Sequence, residues 1–279
     1  MPRVALAAAL ALLACAPRAL GAGARARVVD VAAGGARFRI VHGPEDEAAA
    51  RLVAAALADA APRAQRFGAL AVPVTITLHP SHAALERAAS REGYPWLRAW
   101  ARYETVELQS PRTFGLLGAR RARIAELLAH ELAHCAMWQR AGDAQTWTYK
   151  GIPRWFTEGL ASVAAGQDAR HGDLATLAQF YDGAADRGGA PGGAGPDPLS
   201  DSEALYLARA ALVYGAAHHA FAFLVARYGD VRVRAVLDGM GAGLGFASAF
   251  RAAIGIEPAA FAAEFRRYVA WRGWEPPRP

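Results

Sequence analysis

The sequence predicts an α+β fold: a small mixed sheet with helices, followed by a mainly helical C-terminal part. Three observations carry this. Between residues 28 and 109, short β-branched or alternating runs are interrupted by segments of helical spacing. Beyond residue 120, apolar residues recur almost only at helical intervals. With 279 residues and 54% apolar content, the chain suffices for one domain or for two subdomains around a cleft.

The elements follow in order. Val28 to Val41 reads as one or two strands, with Gly34-Gly35 as the turn and Phe38 and Ile40 pointing inward. After Pro44, Glu45 to Phe67 carries Ala, Leu and Val at helical spacing. Val72 to Leu78 is a strand by its β-branched content, ended by Pro80-Ser81. Ser81 is placed to cap a short helix through Ala89. Arg102 to Gln109 alternates like a strand and is expected at the sheet edge. Ile124, Leu127, Leu128, Cys135 and Trp138 mark a helix that Gly142 stops, and Pro153 suits the first turn of the next. Further helices are read at about 214–228, 231–240, 246–254 and 258–271. In the last of these, Phe261, Phe265, Tyr268 and Trp271 form a stripe read as core packing. Gly183 to Pro198 is too rich in Gly and Pro for a packed element, and both a mobile cleft border and an ordinary surface loop fit it. The implied division is a 25–120 subdomain, a 121–272 subdomain and a frayed 273–279 tail.

Residues 1–24 read as an export signal rather than as part of the fold. Arg3 supplies a minimal basic region, and Val4 to Ala14 an apolar core too short to span a bilayer. Two processing routes stay open. Leu12-Leu13-Ala14-Cys15 resembles a lipobox, which would leave a lipidated Cys15 attached to a membrane, while Ala22-Gly23-Ala24 offers a small-residue cleavage site. The expected address is therefore periplasmic, extracellular or lipid-anchored in a bacterial envelope. Cys15 is lost on one route and lipidated on the other, so Cys135 is left as the only free cysteine and no intramolecular disulfide is expected.

The net charge is +6, and all but one of the 31 basic residues are arginine, Lys150 being the exception. No arginine run interleaved with aromatics forms a nucleic-acid surface, so a nucleic-acid partner is not expected. A solvated basic surface is the simpler reading. No internal repeat is visible, and the oligomeric state is not legible.

The chemistry concentrates in His130-Glu131-Leu132-Ala133-His134, an H-E-x-x-H motif on the predicted 124–138 helix. Side chains four apart share a helix face, so the two imidazoles can occupy neighbouring corners of one Zn²⁺ tetrahedron with Glu131 beside them. A helix with two packed or solvated histidines is the plain alternative. A zinc site needs a third ligand. Continuation by x-x-G-x-x-H is excluded, because Met137 and Arg140 stand at those positions. No Gly-Thr-x-Asp segment follows. Pro153-Arg154-Trp155-Phe156-Thr157-Glu158-Gly159-Leu160-Ala161 does follow, leaving 23 residues between His134 and Glu158.

This pairing of H-E-x-x-H with P-x-W-x-x-E-G-x-A resembles the gluzincin metallopeptidases, and in particular the bacterial peptidase MA-like domains. The resemblance covers roughly residues 35 to 272 and implies a zincin-like architecture with the active-site cleft between the sheet and the helical part. It implies His130, His134 and Glu158 as ligands of one Zn²⁺, with Glu131 as general base. It also points to a tyrosine on the helix opened by Tyr214-Gly215 as donor to the tetrahedral intermediate. Tyr214 is the candidate, Tyr206 the second choice, and a packed aromatic the plain reading of Tyr214. A G-x-M-x-N segment, which reads a free amine in the aminopeptidase branch, is missing, so aminopeptidase action is not implied. The 102–109 strand stands in its place, and Thr105, Val106 and Glu107 are expected to pair with an extended substrate.

The resulting expectation is a secreted or lipid-anchored zinc peptidase acting on a peptide or protein substrate. The rival is an envelope binding or assembly protein that keeps a zincin scaffold without turnover, against which the intact Glu131 speaks. Cys135 lies one residue step off the ligand face and reads as a small buried residue rather than a ligand. His218 and His219 read as packed or surface histidines, and neither His171 nor the pair His79 and His82 has a pattern for a second metal.

Overall fold

A computed structural model describes residues 26–115, 119–185, 197–200 and 202–273. The leader with Cys15, most of the Gly183–Pro198 stretch and Pro276–Pro279 lie outside the described residues; Gly183 itself belongs to a helix. The chain is α+β, a mixed five-stranded sheet followed by a mainly helical part.

Strand β1 (Arg27–Ala33) folds back on β2 (Ala36–His42) across the Gly34-Gly35 turn. In β2, Ala36, Phe38, Ile40 and His42 are buried while Arg37 and Arg39 face water, the alternation expected of a one-sided sheet. A 3-10 turn over Pro44–Asp46 leads into α1 (Glu47–Ala64), which ends three residues before the expected Phe67. Pro62 sits in its last turn, and the Gln65 side chain closes the end by donating to the Ala61 and Gly34 carbonyls at 3.2 and 2.7 Å.

Strand β3 (Val74–His79) is followed by α2 (His82–Ala89), and Ser81 caps that helix by accepting from the Ala84 N–H at 3.2 Å. Next come β4 (Ala99–Ala101) and β5 (Thr105–Gln109). The sheet order is β1-β2-β3-β5-β4, with β2, β3 and β5 parallel and β1 and β4 antiparallel to their neighbours.

This order corrects the edge-strand expectation. β5 is interior: Thr105 pairs with Thr75 of β3, while Val106 pairs with Ile76 on one side and Ala101 on the other. Thr105, Val106 and Glu107 therefore have no free backbone edge for strand addition. The edge belongs to β4, whose Ala-Trp-Ala is too short to show alternation in a sequence.

The helical part contains α3 (Arg121–Ala141), α4 (Arg154–Ala165), α5 (Leu174–Ala185), α6 (Ser202–Tyr206), α7 (Ala210–Gly241), α8 (Phe246–Ile254) and α9 (Pro258–Gly273). α7 starts four residues earlier than the expected 214 and is broken at Gly229, where two helices were expected to part. Alanines 49, 56, 60 and 64 on α1 and 125, 129, 133 and 136 on α3 are buried, and such small side chains let two helices approach closely. One buried cluster runs from Phe38 on the sheet through α1, α3, α4 and α7 to Val269 on α9.

Trp271 departs from its expected place: it is 65% exposed. The inward stripe of α9 runs through Phe261, Phe265 and Val269, and two further residues rotate the side chain by about 200°.

Candidate metal centre

α3 carries His130 and His134 one turn apart, and α4 packs across it. Pro153 stands at the N-cap of α4, and Glu158 sits on the second turn. Its contact with α7 depends on Gly159. A Cβ at that position would lie 2.5 Å from Phe221 Cβ and closer still to the Ala217 carbonyl oxygen. Only glycine lets the backbones meet so closely there.

The result is a convergence of three donors. His130 Nε2 and His134 Nε2 lie 3.4 and 3.6 Å from the same Glu158 oxygen, and one ligand atom from each residue falls within 4.8 Å of the others. Both separations exceed the 2.7–3.2 Å typical of a hydrogen bond to oxygen. They match the edge of a tetrahedron whose corners stand about 2.0–2.1 Å from a zinc ion, which is about 3.4 Å. Two imidazole nitrogens and one carboxylate are also the donor set of open, catalytic zinc sites. The residues present therefore fit a zinc ion.

The surroundings prepare each donor. Burial alone would raise the Glu158 carboxyl, but the facing imidazoles of His134 and His130 outweigh it and hold the group well below the usual carboxylate range. His130 Nδ1 donates to Gln167 Oε1 at 3.0 Å, which leaves the Nε2 lone pair for the site. Gln167 reaches that place because Gly166, at φ 68°, ends α4 in the left-handed conformation and turns the chain back. Sequence reasoning missed Gln167, and no spacing rule points to it. His134 stacks on Trp138 with ring centres 5.3 Å apart and planes inclined by 18°, and Trp147 packs on Trp138 at 4.7 Å.

Glu131 is buried beside the three donors, and its carboxyl is reached by a backbone hydrogen bond from β4. Burial pushes its carboxyl up to about 7; Glu158 adds to this, while His130 and a backbone hydrogen bond from Ala101 of β4 oppose it. A divalent cation at the three ligands would pull the value back down.

These groups open into a cavity of about 290 Å³. Its walls are Ala99, Trp100 and Ala101 of β4, Trp138 and Trp147, and Arg154, Tyr206 and Tyr214. Tyr214 and Tyr206 share a hydrogen bond, their hydroxyls 2.7 Å apart, and Arg154 lies over the Tyr206 ring at 4.0 Å. Burial raises the phenols of both tyrosines above the ordinary value, so each keeps its proton. Both candidate tyrosines thus reach the same cavity.

Other predicted residues lie elsewhere. Glu107 is bound to His79 at 2.7 Å and to Arg102 at 3.3 Å, and neither it nor Thr105 or Val106 lines the cavity. Cys135 is fully buried, and its thiol donates to the Arg102 carbonyl at 3.0 Å. A larger surface cavity of about 500 Å³ lies by Asp30, Arg37, Arg39 and Thr75. Within it Asp30 and Arg39 already pair at 3.0 Å, and it borders none of the three donors.

No protein-family model matches the chain, and no curated protein matches its sequence. Among solved structures it is similar to an M1 zinc metallopeptidase variant from Deinococcus radiodurans bound to a Tyr-Ser-Ala substrate, at 15% identity and a TM-score of 0.41 over 91% of this chain and 53% of that one. The unsubstituted M1 zinc metallopeptidase from the same organism gives 15% identity and a TM-score of 0.39 over 91% and 53%. A two-domain M1 zinc metallopeptidase variant bound to L-arginine gives 15% and 0.41 over 88% and 51%. The chain spans about half the length of these structures.

Proposed function

We propose that this chain is a zinc-dependent peptidase of the gluzincin kind, close to the peptidase MA-like domains, with His130, His134 and Glu158 as ligands of one Zn²⁺. The observation that carries the reading is the convergence of the three donors, with Glu158 set 3.4 and 3.6 Å from the two imidazoles and Glu131 buried beside them. Bound zinc supplies Lewis acidity toward a carbonyl and acidifies water.

The chain's own residues do the rest. The Glu131 carboxylate takes a proton from the attacking water and returns it to the leaving amine. Burial favours the protonated form of that carboxyl and a cation at the ligands would favour the ionised form, the two states between which a proton shuttle moves. Tyr214, paired with Tyr206, donates to the oxygen that gains charge in the transition state. An extended substrate lies along β4 rather than β5, since β4 ends the sheet and lines the cavity. The indoles of Trp100, Trp138 and Trp147 favour an apolar or aromatic side chain next to the scissile bond. Export through residues 1–24 belongs to the same proposal.

The test joins metal analysis to hydrolysis of an unfolded generic protein. Wild type is expected to carry one zinc and to lose cleavage on chelation. Glu131→Gln should keep the zinc and lose cleavage, and Glu158→Ala should lose most of the zinc. Full zinc in Glu158→Ala removes it from the ligand set. A zinc-loaded wild type that cleaves neither that protein nor a diverse peptide mixture favours a binding scaffold.

A further inference from the structure

One turn beyond Glu158 and Tyr214, and outside the residues that line the cavity, lies a second polar cluster that the proposed reaction does not use. Ser162 sits one turn after Glu158 on α4 and is 1% exposed. Its hydroxyl meets two imidazoles, His218 Nδ1 at 2.7 Å and His171 Nε2 at 2.9 Å. His218 is 2% exposed and lies one turn after Tyr214 on α7. Its ring stacks on His171 with centres 4.6 Å apart and planes inclined by 27°.

Proton counting gives this cluster a direction. A serine hydroxyl has a single hydrogen, so it donates to one imidazole and accepts from the other. His218 Nε2 faces Asp168 Oδ1 at 3.3 Å, which places the His218 hydrogen on Nε2 and leaves Nδ1 as acceptor. Ser162 therefore donates to His218 and accepts from His171 Nε2–H. Both rings are neutral in this arrangement, and burial together with the neighbouring histidines lowers both imidazoles from their ordinary value. Asp168 is itself exposed, so its part is to select a tautomer rather than to add strength.

The cluster holds one segment in particular. Between Gly166 and Leu174 the chain contributes His171 to Ser162, Asp168 to His218, and the Gly172 carbonyl to His219 Nε2–H. The same segment presents Gln167 to His130 Nδ1. The rest of 166–173 is held by the α4 cap, where the Gln167 N–H donates to the Ser162 carbonyl at 3.1 Å, by one 3-10 turn, Asp168–Arg170, and by the pair of Arg170 with Glu126 of α3. We propose that Ser162, His171 and His218 form a positioning hub that keeps Gln167 on His130 and so sets how tightly the metal is held. This rests on the zinc reading above.

A double-mutant cycle tests it, read as zinc affinity in competition with a chromogenic chelator and as the melting temperature of the metal-free proteins. Gln167→Ala should weaken zinc binding by about 10- to 100-fold, the usual loss for an outer-shell partner. Ser162→Ala should weaken it by a smaller factor, about threefold to tenfold. The double variant should match Gln167→Ala within about twofold, because the hub acts through Gln167. His218→Asn is the second route into the same cycle should Ser162→Ala fail to fold. A general loss of stability would not produce non-additive zinc affinities. Additive losses, or full affinity in Ser162→Ala, overturn the hub while leaving the metal site standing. A wild type that takes up no zinc overturns the metal reading, and the hub with it.

Discussion

Gly159→Ala separates two opposing effects of known size. An alanine inside a helix is favoured over glycine by about 1 kcal/mol. Against this, the added methyl would sit 2.5 Å from Phe221 Cβ and closer to the Ala217 carbonyl oxygen. Neither obstacle can rotate away, so α4 and α7 must part by roughly 1 Å, and overpacking of this sort costs about 1–3 kcal/mol or more. With two fixed obstacles the upper part of that range applies, and the net loss is about 1–2 kcal/mol. In a domain of this size that lowers Tm by about 2–8 °C. The displacement also reaches the adjacent Glu158, whose oxygen is set 3.4 and 3.6 Å from the two imidazoles. Zinc affinity should fall at least about tenfold, as expected when a donor is shifted within a preformed site. The assay is thermal unfolding followed by circular dichroism, with and without zinc. Gly215→Ala is the internal control: it lies on α7 with nothing within 4 Å of its added Cβ, so it should be neutral or stabilising by up to about 1 kcal/mol. If Gly159→Ala raises Tm and binds zinc normally, the close approach of the two helices is wrong.

Four further outcomes are expected. Tyr214→Phe should keep zinc and lower kcat by about a hundredfold with little change in ground-state binding, whereas an equal loss in Tyr206→Phe alone would give the donor role to Tyr206. Trp147→Ala should raise KM for peptides with an aromatic residue beside the scissile bond more than for those with a charged one, and a uniform change would remove Trp147 from substrate selection. Cys135, fully buried, should resist iodoacetamide in the native protein and react fully in denaturant, as peptide mass mapping would show; rapid native alkylation would contradict its burial. Intact mass of exported material should place the N-terminus at a lipidated Cys15 or close to Ala24, and an unprocessed chain would refute the export reading.

The legible parts of the site are those whose geometry is local. His130 and His134 share a face because α3 dictates it, and the H-E-x-x-H spacing states as much. Glu158 was found by its pattern on a second helix, but its distance from the imidazoles depends on how α4 crosses α3, which no local rule gives. Gln167 and Ser162 were invisible for the same reason. Their partners lie 37 residues away at His130 and 56 away at His218. In the sheet, the one-sided alternation of β2 and the β-branched β3 were readable. The three residues of β4 are too few to carry a period, so the sequence pattern puts the edge at β5. Two tyrosines remain joined at one place that sequence separated into a first and a second choice, because only the fold brings the α6 and α7 hydroxyls to 2.7 Å.

The aromatic wall behind α4 sets an order of assembly. Trp155 stacks on Phe261 at 5.1 Å, and Phe156 packs edge-on against Phe246 at 5.2 Å. The helix that offers Glu158 is thus braced by α8 and α9, about a hundred residues later in the chain. A chain emerging from the ribosome or a translocation channel displays all three donors long before their brace exists. Until then nothing fixes the spacing of Glu158 from the two imidazoles. If the three donors hold a metal as proposed, its fixed geometry waits on the last two helices.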